Sequence, residues 1–333
     1  MDDSAPQPSA PFSELNPERV IQAVEATGRP SDARVLALNS YENRVYQVGL
    51  EDGAPVIVKF YRPERWTDAQ ILEEHAFLQE LVELEVPAVP ALADAEGRTL
   101  FRDGALRYAL FERRGGRAPD VEDPETLHTL GRYLGRIHNV GALHPFRHRP
   151  AFSVDDFGDA SRSFLLQAGF LPPALEEAYA TLSADLLRRI RAHFPALESC
   201  RQLRLHGDCH MGNVLWRDGA VHFVDFDDAR SGPAIQDLWM LLSGERGQRA
   251  IQLSELLDGY QQFADFPLAE LPLIEPLRTL RIMHHAAWIG RRWNDPAFPL
   301  AFPYFAGERF WSEHILNLRE QMAALDELPL EVF

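Results

Sequence analysis

In the segment LHGDCHMGNVLW (205–216), Asp208 stands between two histidines and beside a cysteine, and Asn213 follows five positions later. Residues of these types suit three chemistries. His206, Asp208 and His210 alternate; on a strand they would share one face, and His222 and Asp225 could complete a zinc site. Cys209 would be a nucleophile if a histidine base and an orienting group were aimed at it. Phosphoryl transfer would use Asp208 to take the proton of an attacking hydroxyl and Asn213 to hold magnesium. A further aspartate on the next hairpin would bridge metal and phosphates. Gly207 and Gly212 favour a loop over a strand, which weakens the zinc reading. His206 and His210 lie too close in sequence to Cys209 to be aimed at it easily.

The phosphoryl-transfer reading makes demands elsewhere in the chain, and each finds a residue. Asp225 ends the apolar run of VHFVDFDD, one hairpin after Asn213, with Asp227 as a further metal or substrate ligand. Lys59, in APVIVKFY, lies on the third strand-like segment and suits the phosphates. A helix beginning near Thr67, TDAQILEEHAFLQELVEL, must supply the carboxylate that holds this lysine. At about 100° per residue, Ile71, Leu78, Leu81 and Val82 form an apolar stripe; Glu74 falls inside it and Glu73 falls off it. A carboxylate on a buried face needs a cationic partner, and Lys59 is the natural one. The glycine-rich phosphate loop of many such sites is absent. In its place stands LNSYENRVYQV, where Ser40, Glu42 and Asn43 offer backbone or side-chain donors.

The elements that must position these residues follow a simple order. NPERVIQAVEATG reads as a short helix with Asn16 as N-cap, Pro17 in the first turn and Gly28 as the stop. ARVLAL, RVYQVGL, APVIVKFY, RTLFR and ALRYALF read as strands, interrupted by the one helix from Thr67. FERRGGRAPD breaks the pattern as a linker. Beyond it the chain is mainly helical: DPETLHTLGRYLGRIHNVG is amphipathic, and helical patterns cover roughly 172–197, 234–243, 249–264, 271–292 and 307–326. NVLW, RDG and VHFVDF form strand, turn, strand. The expectation is an α+β fold with a flexible tail at 1–15, a β-rich N-lobe for nucleotide at 16–112, and a mainly helical catalytic and acceptor-binding C-lobe at 113–333.

With 333 residues the chain has room for two lobes and buries roughly 75% of its unfolded surface. Cys200 and Cys209 are its only cysteines, which excludes a disulfide framework and a four-thiolate zinc site. A net charge of −17 argues against nucleic-acid binding and is compatible with a cationic substrate. No stretch is apolar enough to insert in a membrane, and the start of the chain has no apolar signal core, so a cytoplasmic protein is expected.

HGDCHMGN resembles the catalytic loop of the aminoglycoside and choline kinase-like superfamily, in which glycine replaces the arginine of the protein-kinase loop. LNSYENRVYQV, VKFYRPERWTDAQILEEHAFLQEL, GRYLGRIH, FVDFDDARSGPAIQDLWMLLSG and RRWNDPAFP are similar to a narrower group, bacterial stress-response kinases acting on Ser and Thr of proteins. The resemblance implies a bilobal, monomeric protein-kinase-like enzyme using ATP and magnesium, active in envelope or oxidative stress. It implies Asp208 as proton acceptor, Asn213 and Asp225 as magnesium ligands, and Ser40 in the phosphate-covering loop. Two alternatives stand beside it: a small-molecule kinase for a cationic alcohol, and a nucleotide-binding scaffold without turnover. Asp237 is expected to support the catalytic loop, His206 to anchor it, and His138 to be a satisfied buried histidine. His210 either anchors the loop or lines the acceptor cleft. Trp288, Arg291, Arg292 and Trp293 either dock the acceptor or belong to core and solvated face.

Overall fold

The computed structural model describes residues 11–333, with all side chains in that range except those of 194–199. In chain order the elements are α1 (Pro17–Glu25), β1 (Ser31–Ala37), β2 (Arg44–Leu50), β3 (Val56–Tyr61), α2 (Asp68–Glu83), β4 (Phe101–Asp103) and β5 (Leu106–Glu112). There follow α3 (Pro124–Gly141), α4 (Ala160–Gln167), α5 (Pro173–Ser199), β6 (Leu203–Leu205), β7 (Val214–Arg217), β8 (Ala220–Phe223) and β9 (Arg230–Gly232). The chain ends in α6 (Ile235–Trp239), α7 (Arg246–Tyr260), α8 (Ile274–Arg291), α9 (Ala297–Ala301) and α10 (Glu308–Ala324). No helix among the described residues is long and apolar enough to cross a membrane.

The chain divides into two compact units. The first holds the chain to Gln79, Val89–Arg114 and Trp293–Ala301; the second holds Glu80–Ala88, Gly115–Arg292 and Phe302–Phe333. The first unit therefore ends two residues beyond the expected 112 boundary and takes back a piece of chain from far downstream. Of the segment expected as a tail, residues 1–10 lie outside the described residues. Its last part is tied down, because Phe12 is buried in the first unit's core.

The first unit is a five-stranded antiparallel sheet in the order β1-β2-β3-β5-β4. Successive side chains of a strand face opposite sides, and β3 is covered on both. Val58 and Phe60 join Val20, Val24, Val48 and Leu110 in the α1-side core. Tyr61 packs instead with Ile71 of α2 and Ala109. Lys59 lies opposite Ala109 in register, on the Tyr61 side. The periodicity of the strand thus sends this lysine toward α2.

The second unit is built around α3 and α7. A Cβ at Gly131 would stand 2.0 Å from the Leu256 carbonyl oxygen, and one at Gly259 equally close to that of His128. Only glycine permits this approach, which brings Tyr260 against His138. Two small antiparallel pairs, β6–β9 and β7–β8, carry the catalytic-type loop and its hairpin. The helix expected over 234–243 is five residues long, because Gly244 turns the chain at φ +80° and Glu245 caps α7. β6, β9, α4 and α9 had no counterpart in the sequence patterns: three-residue strands are too short to show alternation, and helices of five to eight residues are too short to show a helical period.

Candidate active site

In the first unit the structure places Glu74, the carboxylate on the helical stripe, beside Lys59. Lys59 and Glu74 are buried, with side chains 7% and 1% exposed, and Lys59 Nζ lies 3.9 Å from Glu74 Oε1. That separation is an ion pair rather than a tight hydrogen bond. The ammonium also sits 5.2 Å from the centre of the Tyr61 ring.

The turn between β1 and β2 is held from beneath. Ser40 is half-buried within it. Asn43 faces inward: it is 3% exposed and its Oδ1 accepts from the Arg62 backbone N at 3.0 Å. Through that oxygen the side chain fastens the turn to the end of β3. Arg62 continues the job, donating from Nε to the Glu42 carbonyl (2.9 Å) and from Nη2 to the Tyr41 carbonyl (3.2 Å).

The anchor of this arrangement is Asp295, a residue outside every expected site. Its carboxylate, 2% exposed, binds Arg62 at 2.7 Å and Arg44 at 2.7 and 2.9 Å. Both guanidinium groups lie over the Phe12 ring, and Arg62 also over Phe298. Burial alone would raise the Asp295 pKa. The hydrogen bond from Arg62, that from the Ala297 N–H and the charge of Arg44 outweigh it and hold the group below the usual carboxylate range. Asp295→Ala would leave buried Arg62 and half-buried Arg44 without their shared anion; Glu42 stays 3.0 Å from Arg62 Nε, so a loss of roughly 3 kcal/mol is expected. Urea titration checks this; an unchanged midpoint would mean the arginines find other partners.

In the second unit the loop after β6 is fixed by its backbone. Asp237 of α6, fully buried, accepts from the His206 and Gly207 backbone N–H groups, each at 2.9 Å. His138 Nε2 lies 3.2 Å from the same carboxylate, and its Nδ1 3.0 Å from the Tyr260 hydroxyl. Burial pushes the Asp237 pKa up, but the hydrogen bond and charge of His138, with His206 and the Gly207 N–H, hold it below the ordinary value. Gly207 adopts φ +84°, and a Cβ there would stand 2.2 Å from the Asp228 carbonyl oxygen. This is the physical reason for glycine ahead of Asp208. His206 uses both ring nitrogens: Nε2 on the Val224 carbonyl (2.9 Å) and Nδ1 for the Asp208 N–H (3.3 Å). It has no lone pair left for zinc, and among the described residues no group of three His, Cys, Asp or Glu is placed to hold a metal. Cys209 is fully buried, and burial, with Asp237 and Asp208 nearby, raises its thiol pKa well above normal. It packs as a small apolar group.

Asn213, Asp225 and Asp208 are the groups to which the sequence assigns the chemistry. Asn213 Nδ2 donates to the Asp208 carbonyl at 3.0 Å, which leaves its Oδ1 as the acceptor a cation needs. Asp225 is exposed and adopts left-handed backbone, φ +59° and ψ +62°, at the hairpin's end. Two oxygen donors of this kind suit a hard ion such as magnesium. Asp208 is half-buried. Its Oδ2 lies 3.6 Å from His210 Nε2, while Gly212 N donates to His210 Nδ1 at 3.0 Å. His210 therefore caps the following turn and faces Asp208 at once. The other oxygen, Oδ1, meets Arg281 Nη1 of α8 at 2.5 Å. Nothing in the sequence pattern singled out Arg281.

The suggested Trp/Arg docking cluster is engaged in packing. Arg292 lies over the Trp288 ring and His285 stacks on it. Arg291 lies over Phe164 and donates to the Ala160 carbonyl at 2.9 Å. Trp293 belongs to the first unit.

Half-buried His284 of α8 and buried His314 of α10 set an acid limit on stability. Burial, reinforced for His284 by Arg230, lowers the pKa of His284 to about 3, and burial lowers that of His314 to about 4. Below about pH 6.5 the unfolded chain binds protons that the folded chain does not. Stability should therefore fall as pH drops from 6.5 toward 4, by up to about 1.4 kcal/mol per pH unit for each histidine. Urea midpoints at pH 7, 6 and 5 test this; a flat series would contradict it.

Known proteins decide the family. The phosphotransferase enzyme family matches residues 34–271. The chain belongs to this family. Stress response kinase A of Escherichia coli is 43% identical over 321 residues, covering 96% of this chain and 97% of that protein. Serine/threonine protein kinase RdoA of Salmonella typhimurium is likewise 43% identical over 325 residues, with 96% and 97% covered. This chain is thus a phosphotransferase of the kinase type. Among solved structures, amicoumacin kinase hAmiN in complex with AMP-PNP and Ca2+ superposes with a TM-score of 0.73 at 19% identity, over 96% of each chain. A microcompartment-associated aminopropanol kinase gives 0.69 at 19% identity, over 94% of this chain and all of that one. These two establish the fold: the α+β, protein-kinase-like fold of this phosphotransferase family.

Proposed function

We propose that the protein is an ATP- and magnesium-dependent kinase that phosphorylates Ser or Thr of proteins, working as a cytoplasmic monomer in a bacterial stress response. The observation that carries the kinase half is the buried Lys59–Glu74 pair. Burying a lysine is unfavourable unless its charge is used, and binding of ATP phosphates beside the Glu74 carboxylate is such a use. The protein acceptor and the stress role rest on the names of relatives 43% identical over nearly the whole chain.

In this reading Lys59 binds ATP phosphates, Ser40 and the turn backbone cover them, and the backbone of Ala109–Glu112 reads the adenine edge. Asn213 and Asp225 hold magnesium, which neutralises charge on the phosphates when bound. Asp208 orients the acceptor hydroxyl and takes its proton. The acceptor oxygen bonds to the γ-phosphorus, the bond from that phosphorus to the β–γ bridging oxygen breaks, and ADP leaves. Lys59→Met should raise the KM for ATP roughly 10–100-fold, the loss of one charge-assisted hydrogen bond. An unchanged KM would remove Lys59 from the site.

A second reading has two observations in its favour. The net charge of −17 suits a cationic alcohol, and the structural neighbours include an aminopropanol kinase. Labelled ATP offered with generic protein acceptors and with aminoalcohols separates the two.

A further inference from the structure

The neighbourhood of Asp208 in the second unit runs against the charge of the whole chain. A cavity of about 470 Å³ opens among α6, α8 and α10, lined by Trp239, Arg278, Arg281, His285, Phe310 and Glu313 among others. Arg281 belongs to its wall and also binds the Asp208 carboxylate at 2.5 Å. The cavity thus adjoins the proposed proton acceptor through one side chain. Arg278, one turn back on α8, adds a second guanidinium; it lies over the Trp239 ring and pairs with Glu275 at 3.2 Å. Glu275 also serves Arg249 at 3.0 Å, so three groups share two positive charges and one negative. The one carboxylate in the wall, Glu313, is already paired with Arg309 at 2.7 Å. A cationic aminoalcohol entering here would meet two arginines. An acidic chain would meet partners.

We propose that this cavity docks an acidic segment of the acceptor protein, and that Arg281 selects it by exchanging Asp208 for an acceptor carboxylate. The proposal rests on the reading of Asp208 as proton acceptor for a protein hydroxyl. With Arg281 Nη1 at 2.5 Å, Oδ1 of Asp208 is covered against an incoming acceptor hydroxyl. An Asp or Glu side chain near the target Ser or Thr gives Arg281 a replacement partner of the same geometry, since a guanidinium fork accommodates one carboxylate as well as another. Release of Asp208 is then tied to arrival of the right acceptor. The aromatic and aliphatic wall, Trp239, Phe310 and Ile282, lowers the local dielectric and strengthens the pairing.

The test uses the full chain with labelled ATP, magnesium and three serine peptides of equal length, flanked by Glu, by Gln or by Lys. The expected kcat/KM for the Glu peptide exceeds that for the Gln peptide by at least tenfold, with the Lys peptide lowest, and the ratio shrinks at high salt. In Arg281→Gln the Glu/Gln ratio should fall toward one; in Arg281→Lys, which keeps the charge, a clear preference should return. Arg278→Gln gives a second measure should Arg281→Gln not fold, and its ratio should also fall. Equal rates on the three peptides, or preference for Lys, would overturn the acidic-acceptor proposal while leaving the protein kinase in place. Phosphorylation of aminoalcohols with no peptide labelled would overturn the protein-kinase reading itself, and this proposal with it.

Discussion

Replacing Asp225 by Asn should cost the enzyme at least about 10²-fold in turnover at fixed magnesium and ATP, the scale on which a charged group facing the transferring phosphoryl acts. Asn is the informative choice. Residue 225 adopts φ +59°, a backbone region that Asn tolerates about as well as Asp and most other residues do not. The substitution keeps shape and backbone and removes only the negative charge that would hold magnesium. Binding of Mg-ATP, followed by calorimetry, should weaken while the melting temperature stays within a few degrees. Unchanged Mg-ATP affinity would remove Asp225 from the metal.

Asp208→Asn should act differently. The loop that carries residue 208 is held by Asp237, His206 and Gly207, none of which depends on the Asp208 carboxylate. Asn213 likewise takes the backbone carbonyl of Asp208 and not its side chain. The variant should therefore fold and bind Mg-ATP as the parent does, yet lose transfer by roughly 10²–10⁴-fold, the usual worth of a positioned base. The pair of variants separates the two roles: one loses nucleotide binding, the other loses only the step that moves the proton. Full transfer by Asp208→Asn would mean that another group accepts it.

Local patterns carried much of this site. The spacing from Asp208 to Asn213 and the hairpin that ends at Asp225 are features of one short stretch, residues 208–225. Glu74 was picked over Glu73 by helical angle alone, because a stripe of Ile71, Leu78 and Leu81 must turn inward. Asp237 was legible as a support for the loop because it interrupts an apolar helix. Asp295 was not. It reaches back to Arg44 and Arg62 across more than two hundred residues, and no local period records such a contact. Arg281 was invisible for a related reason: on α8 it reads as one more polar residue on a solvated face, and its meaning depends on Asp208 lying within reach. Asn43 has a task that its type does not announce: its Oδ1 accepts from the backbone N–H of Arg62.

The most direct test is a rapid-quench single turnover with γ-labelled ATP, magnesium, a mixed protein acceptor and an equimolar aminoalcohol panel. Acid-stable label on protein Ser or Thr, formed by the parent chain and lost in Asp208→Asn at saturating Mg-ATP, is the predicted result. Label carried only by the aminoalcohols, or released only as free phosphate, would contradict it.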